Sequence, residues 1–296
     1  MLLYIITKNI INILDIFMNK LKALFIGNCQ TGGVIHYLLK SEQFSQTYET
    51  KIYANWELIA NNTSIPMPDI QSADLFVYQP LRPVHGCYST DPNVDGSIGY
   101  YVKDSCIKIS FPYVYSSAMW PIVQVKEREN RWWGGEVIDE LVSQGMNYSE
   151  IISLFDENKI DWKYKTRFEN SINILKQKET ITDIKVSEFI EKNLKDNLLF
   201  LIPHHPTSII FFNMANQVLE KLNMEKISDN VIESINDRKL EDTTYRLPTC
   251  MFPLHKSAII DYNLNYGEEY LENSDNFYIE RIKNYLEMNH SCYNVM

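Results

Sequence analysis

A chain of 296 residues admits one elaborated α/β domain or two small ones, and 45% apolar with 22% charged residues is the balance of a protein that folds around a substantial core. A formal net charge of −10 with no stripe of Lys and Arg excludes a nucleic-acid surface, although a small anionic ligand needs only a local pocket. The five cysteines, Cys29, Cys87, Cys106, Cys250 and Cys292, are odd in number, widely spaced and without a CxxC pair, which excludes a disulfide framework and a zinc ribbon and points to a reducing, cytoplasmic location.

Residues 1–20 form an N-terminal amphipathic extension. Lys8, Asn9, Asn12 and Asp15 interrupt its apolar run well short of a bilayer span, and no cleavage site follows. It reads as an extra helix, as sequence upstream of a start at Met18, or as an interfacial helix that keeps the protein near a membrane. From Lys22 to Gly27 a short apolar run ends in glycine and is followed by Val34, Ile35, Leu38 and Leu39 at helical spacing: strand, tight turn, helix. Similar runs at Ile52–Trp56, Asp74–Gln79, Ile107–Phe111 and Leu198–Pro203 are brief and not strictly alternating, as buried parallel strands are. Helical periodicity covers Val137–Val142 up to Gly145, Ile151–Phe155, Trp162–Leu175, Val186–Leu194 and Phe211–Leu222. The expected fold is therefore α/β: a single domain over residues 21–296, a three-layer α/β/α core on a parallel sheet, a helical insertion at about 136–195 before the last core strand, and a C-terminal extension from about Thr243.

Ligands of open parallel sheets bind outside the carboxyl ends of the strands, so each strand end is a place to look. After the first strand comes Gly27-Asn28-Cys29-Gln30-Thr31-Gly32-Gly33. A cysteine there sits near the positive end of a helix dipole, a nucleophile's position, with backbone N–H groups and the amides of Asn28 or Gln30 as oxyanion donors; a small packed cysteine is the plain alternative. The glycines make no P-loop, since no Gly-Lys-Ser/Thr follows. After the third strand, Tyr78-Gln79-Pro80-Leu81-Arg82-Pro83 leaves Gln79 as an oxyanion donor and Arg82 as a phosphate partner, or a surface turn. The aromatics of Phe111–Tyr115 and Met119–Pro121 are mostly core, and Trp132-Trp133 are packed indoles or part of a substrate wall. After the late strand, Pro203-His204-His205-Pro206-Thr207-Ser208 opens a helix that Thr207 or Ser208 can cap, and a histidine there can act as base for Cys29. His205, directly before the Pro-Thr helix start, is the expected catalytic member. Neither His85-Gly86-Cys87 nor His204-His205 matches a zinc spacing, so no metal is expected. Arg246, His255 and Lys256 lie in and after a Pro- and Cys-containing segment and are candidates to meet an acidic cofactor, against a default of solvated surface.

The order Gly27-Asn28-Cys29-Gln30, then Asp74–Leu81 ending in Gln-Pro-Leu, then Phe111-Pro112 with its aromatics, then His205-Pro206-Thr207, resembles the WcbI-type polysaccharide-biosynthesis family from about Leu21 to about Tyr270. The resemblance implies a fold related to SGNH hydrolases, with flavodoxin-like layering, and binding of coenzyme A or acetyl-CoA. It also implies O-acetyl transfer to a sugar or polysaccharide acceptor in capsular or other surface-polysaccharide assembly. Cys29 then stands where the hydrolase serine would, and His205 at the late histidine. Gly27, Asn28, Gln30, Gln79, Arg82, His204 and Arg246 are expected around the coenzyme. The hydrolase pattern is incomplete: Gly-Asp-Ser is Gly27-Asn28-Cys29, Gly-x-Asn-Asp is replaced by Tyr78-Gln79-Pro80, and no Asp stands three residues before His204 or His205. A cysteine esterase or deacetylase, and a coenzyme- or glycan-binding protein without chemistry, are the alternatives.

Overall fold

The computed structural model describes residues 20–125, 131–233 and 251–290. The N-terminal extension, Arg246, Cys250, Cys292 and the start of the C-terminal extension lie outside the described residues. The chain runs β1 (Leu21–Gly27), α1 (Gln30–Leu38), α2 (Glu42–Thr47), β2 (Tyr48–Ala54), α3 (Asn55–Asn61), α4 (Met67–Gln71), β3 (Leu75–Tyr78), a 3-10 segment (Pro83–Tyr88), α5 (Ile98–Tyr101) and β4 (Ile107–Ser110). A small antiparallel pair, β5 (Val123–Val125) and β6 (Arg131–Trp133), leads to α6 (Gly135–Ser143), α7 (Tyr148–Asp156), α8 (Tyr164–Glu179) and α9 (Ser187–Asn193). Then come β7 (Phe200–Ile202), β8 (His205–Pro206), α10 (Ser208–Lys221), α11 (Asn230–Glu233), α12 (Lys256–Tyr262), a 3-10 turn (Glu268–Tyr270) and α13 (Ser274–Asn289).

The first four strands form one parallel sheet in the order β2-β1-β3-β4. Alternate residues of β1 and β3 enter two separate cores, as the period of two in a strand requires. Ala23, Phe25, Leu75 and Val77 join Val34, Ile35 and Leu38 of α1 and Phe211, Met214 and Val218 of α10. Leu24, Ile26 and Phe76 join Leu58, Ile70 and Ile98 from α3, α4 and α5 on the other face. This is the expected three-layer arrangement. The larger core continues through the helices that follow β4 to Ile282 and Leu286 of α13, and α6 and α7 pack on α13 while α8 packs on α12.

Local chemistry accounts for the helix boundaries. Asn147 and Glu150 form a reciprocal capping box at the start of α7. Glu179, buried at the end of α8, accepts from the backbone N–H of Val186 (2.6 Å) and Ser187 (2.8 Å) and from the Ser187 hydroxyl, which fixes the first turn of α9.

Two strands differ from expectation. The second strand is Tyr48–Ala54, not Ile52–Trp56, and Trp56 belongs to α3. Glu49, Lys51 and Ile52 are exposed on this edge strand, so its start carries no apolar run to read. The late apolar run is not a fifth strand of the parallel sheet: Phe200–Ile202 turns through Pro203 and His204 and pairs antiparallel with His205–Pro206. An apolar run records burial on both sides, and burial does not name the partner strand.

Candidate active site

With the strand order β2-β1-β3-β4, the chain leaves β1 for one side and returns past it to the other, so the topological switch point lies between β1 and β3. Gly27-Asn28-Cys29 ends β1 there, and Gln79 follows β3 alongside, its N–H bonded to the Ile26 carbonyl at 2.9 Å. Asn28 folds the turn: its Oδ1 accepts from the Gln30 N–H at 3.0 Å, and its own N–H donates to Gln79 Oε1 at 2.8 Å. Gly27 has no room for a side chain, since a Cβ there would lie 2.3 Å from Thr31 Oγ1 and 2.9 Å from Gln79 Oε1.

Cys29 occupies the N-cap position of α1, half-buried, and its Sγ lies 3.9 Å from Nδ1 of His205. The antiparallel turn of β7 into β8 supplies that histidine, so a fifth parallel strand is not needed to bring it to the end of β1. His205 is buried, and burial together with the neighbouring His204 pushes its pKa down to about 3. The ring is therefore neutral at physiological pH. For Nδ1 to accept a proton from the thiol, the ring proton must sit on Nε2. Among the described residues no carboxylate lies within hydrogen-bond distance of His205, in keeping with the missing Asp of the hydrolase pattern.

The other expected residues divide by what they touch. Gln30 is fully buried and its amide is committed: Nε2 donates to the carbonyls of Val114 (2.6 Å) and His204 (2.9 Å), and Oε1 accepts from the Val114 N–H (3.0 Å) and Gln79 Nε2 (3.3 Å). It has no donor left for an oxyanion. The backbone N–H groups of Asn28 and Gln30 are likewise engaged, whereas the side-chain Nδ2 of Asn28 has no partner among the described residues. Arg82 is exposed at the start of the 3-10 segment after β3, its guanidinium without a partner among the described residues. His204 is half-buried, with its ring centroid 4.3 Å from that of His205. His255 is not on a ligand surface at all: it is fully buried and caps α12 through Ser257. Phe111, Val114, Met119 and Trp120 are core, whereas Tyr113 is partly exposed with the Lys178 ammonium 4.9 Å from its ring centroid.

Two participants have no sequence-level signal strong enough to single them out. Val114 grips Gln30 through its backbone, where residue type leaves no trace. Thr31 is buried with an Oγ1 that has no hydrogen-bond partner among the described residues, beside Gly27. A cavity of about 550 Å³ between α8, α9 and α12 is lined by residues that include Phe168, Ile172, Leu194 and Tyr262 and by none of the residues around Cys29.

Comparison with known proteins agrees with this architecture. A solved structure of WcbI, described as a novel polysaccharide biosynthesis enzyme and as native protein without a disulfide bond between coenzyme A and a cysteine, superposes with a TM-score of 0.64. It covers 93% of this chain and 94% of that one at 15% identity, which makes it a likeness of fold. No curated protein matches the chain. The family model for the polysaccharide biosynthesis enzyme WcbI matches residues 22–226, from the first residues of β1 to just beyond α10, and the chain belongs to that family.

Proposed function

We propose that this protein is an acyl-CoA-dependent O-acyltransferase, acetyl in the simplest case, that modifies a sugar hydroxyl during surface-polysaccharide assembly with Cys29 as nucleophile and His205 as base. The observation that carries the reading is the 3.9 Å approach of Cys29 Sγ to a neutral, buried His205 at the switch point of the sheet. The solved WcbI structure, whose description names coenzyme A together with a cysteine, supports the choice of cosubstrate, and the family's role in polysaccharide synthesis supports the class of acceptor.

The residues around Cys29 suit the thioester end of such a molecule. Asn28, the residue before Cys29, has an Nδ2 without a partner among the described residues, Thr31 Oγ1 is a buried hydroxyl likewise without one, and Arg82 offers an exposed cation for a phosphate at the neighbouring strand end. When bound, acyl-CoA supplies an acyl carbon already activated as a thioester. His205 Nδ1 takes the Cys29 proton as sulfur attacks that carbon, and the carbon's bond to the coenzyme sulfur breaks as His205 returns the proton to the departing thiolate. Asn28 Nδ2 donates to the oxygen that becomes negative. His205 then removes the proton of the sugar hydroxyl, whose oxygen displaces Cys29, and the cysteine leaves with that proton. Exchange of one thioester for another is nearly isoenergetic, which suits transfer over hydrolysis. The odd number and wide spacing of the cysteines, with no CxxC pair, fit a reducing, cytoplasmic setting. No helix among the described residues is long and apolar enough to cross a membrane.

The test is calorimetric titration with acetyl-CoA against adenosine diphosphate, followed by intact-mass measurement without acceptor. The expected result is tighter binding of acetyl-CoA and a single acetyl adduct that Cys29→Ala abolishes while binding survives. Absence of binding up to millimolar acetyl-CoA overturns the proposal, and acetyl-CoA consumption at one rate with and without sugar acceptor turns it into a hydrolase.

A further inference from the structure

Cys29 and His205 come from segments 176 residues apart in the chain, and 3.9 Å between them is a distance that something must hold. Their immediate neighbours are joined directly. Gln30 Nε2 donates to the His204 carbonyl at 2.9 Å across a separation of 174 residues, so this bond spans the same gap as the catalytic pair, one residue along on each side. We infer that Gln30 is the positioning residue of the Cys29–His205 pair, braced by Gln79, and that neither glutamine serves as a contact for the coenzyme.

The argument is one of saturated capacity. A side-chain amide has two N–H donors and an oxygen with two lone pairs, and Gln30, with no exposed surface, uses all four. Its donors go to Val114 and His204, and its oxygen receives Val114 and Gln79. Gln79 passes the connection back to the turn, accepting from the Asn28 N–H at 2.8 Å. A continuous chain of amides thus runs from Asn28, on one side of Cys29, through Gln79 and Gln30 to the carbonyl before His205. The segment after β4 closes the frame, because Val114 holds Gln30 in both directions and the Ser116 N–H donates to the Pro203 carbonyl at 2.8 Å in the same β7–β8 turn. Glutamate has the shape but would aim carboxylate oxygens at two carbonyls. Asparagine is one methylene too short to reach both. Glutamine is the residue that fits.

This inference rests on the reading of Cys29 and His205 as a reactive pair, and the experiment separates the two. The rate of Cys29 alkylation by iodoacetamide is followed peptide by peptide from about pH 6 to 9 in the full chain, with exposed Cys87 as a reference and buried Cys106 as a reporter of general loosening. His205→Ala defines the part of the rate that depends on the histidine, expected to be about tenfold near neutral pH. Gln30→Glu and Gln30→Met are expected to fall to the His205→Ala profile while Cys106 stays unreactive. Gln79→Met, which leaves Gln30 three of its four bonds, should lower the same component by about threefold and decides the question if the Gln30 variants do not fold. Identical profiles for wild type and His205→Ala would remove the reactive pair itself. A His205-dependent rate that the folded glutamine variants leave unchanged would overturn the positioning role alone.

Discussion

A histidine surrounded by protein and placed beside a second imidazole is hard to protonate, and this decides how His205 can work. Burial is the larger cause and His204 the smaller, and together they bring its pKa down to about 3. The ring does not form a standing imidazolium–thiolate pair with Cys29 at neutral pH; it is a base waiting for a proton that moves only during attack. The rate is therefore expected to show no loss attributable to His205 as pH falls from 8 toward 5, whereas an ordinary histidine base would lose activity through about pH 6.5. His205→Ala should cost about 10²- to 10⁴-fold in turnover at pH 7. A pH–rate profile of wild type against the variant checks both, and an acid limb near pH 6.5 that vanishes with His205 would contradict the buried, neutral ring.

Among the elements, α1 and α10 matter most because they carry Cys29 and follow directly on His205, and their packing fixes the distance between the two loops. Gly33 makes the approach possible: a Cβ there would sit 2.5 to 2.7 Å from three atoms of the buried Phe211 ring. Gly33→Ala gains about 1 kcal/mol of helix propensity but meets an overpacked contact costing about 1–3 kcal/mol, so the net expectation is a destabilised protein with reduced Cys29 reactivity. Urea unfolding checks it, and a variant as stable as wild type would show that α1 has slack. The central strands β1 and β3 were readable because strands buried on both faces are near-continuous apolar runs, the edge strand β4 was readable only through the run that ends in buried Ile109 and Phe111, and the helices of residues 135–193 were readable from their periodicity. The edge strand β2 and the antiparallel return of β7 were not, since exposure on one and partner choice on the other depend on distant chain. The same limit applied at the site. Residue type marked Cys29, His205 and the two glutamines as unusual, but whether an amide faces a ligand or a backbone carbonyl is settled by Val114 and His204, 84 and 174 residues away.

For the whole molecule, two buried histidines tie stability to pH in one direction. His255, with no exposed surface, caps α12 by accepting from the Ser257 N–H at 3.2 Å, and its Nδ1 is 2.5 Å from Ser257 Oγ, which in turn lies 2.9 Å from the Tyr164 hydroxyl. The rings of Phe155 and Tyr278 flank it, with centroids 4.7 and 5.4 Å away. Burial is the largest influence on its charge; Asp275, 3.9 Å from Nε2, favours protonation, but burial, reinforced by Lys256, outweighs it and brings the pKa down to about 4. Between the ordinary histidine value near 6.5 and these depressed values, the unfolded chain binds a proton at each position and the folded chain does not. Stability is therefore complete above about pH 6.5 and falls as pH drops below it, by about 1 kcal/mol or slightly more per pH unit for each histidine. Asparagine is a good N-cap without a titrating ring, so His255→Asn isolates one of the two contributions. Its unfolding free energy should be lower than wild type at pH 7, yet the loss between pH 7 and pH 5 should shrink by about 2 kcal/mol. Denaturant unfolding at the two pH values measures that difference directly, and an undiminished loss in the variant would mean that His255 already carries a proton in the fold.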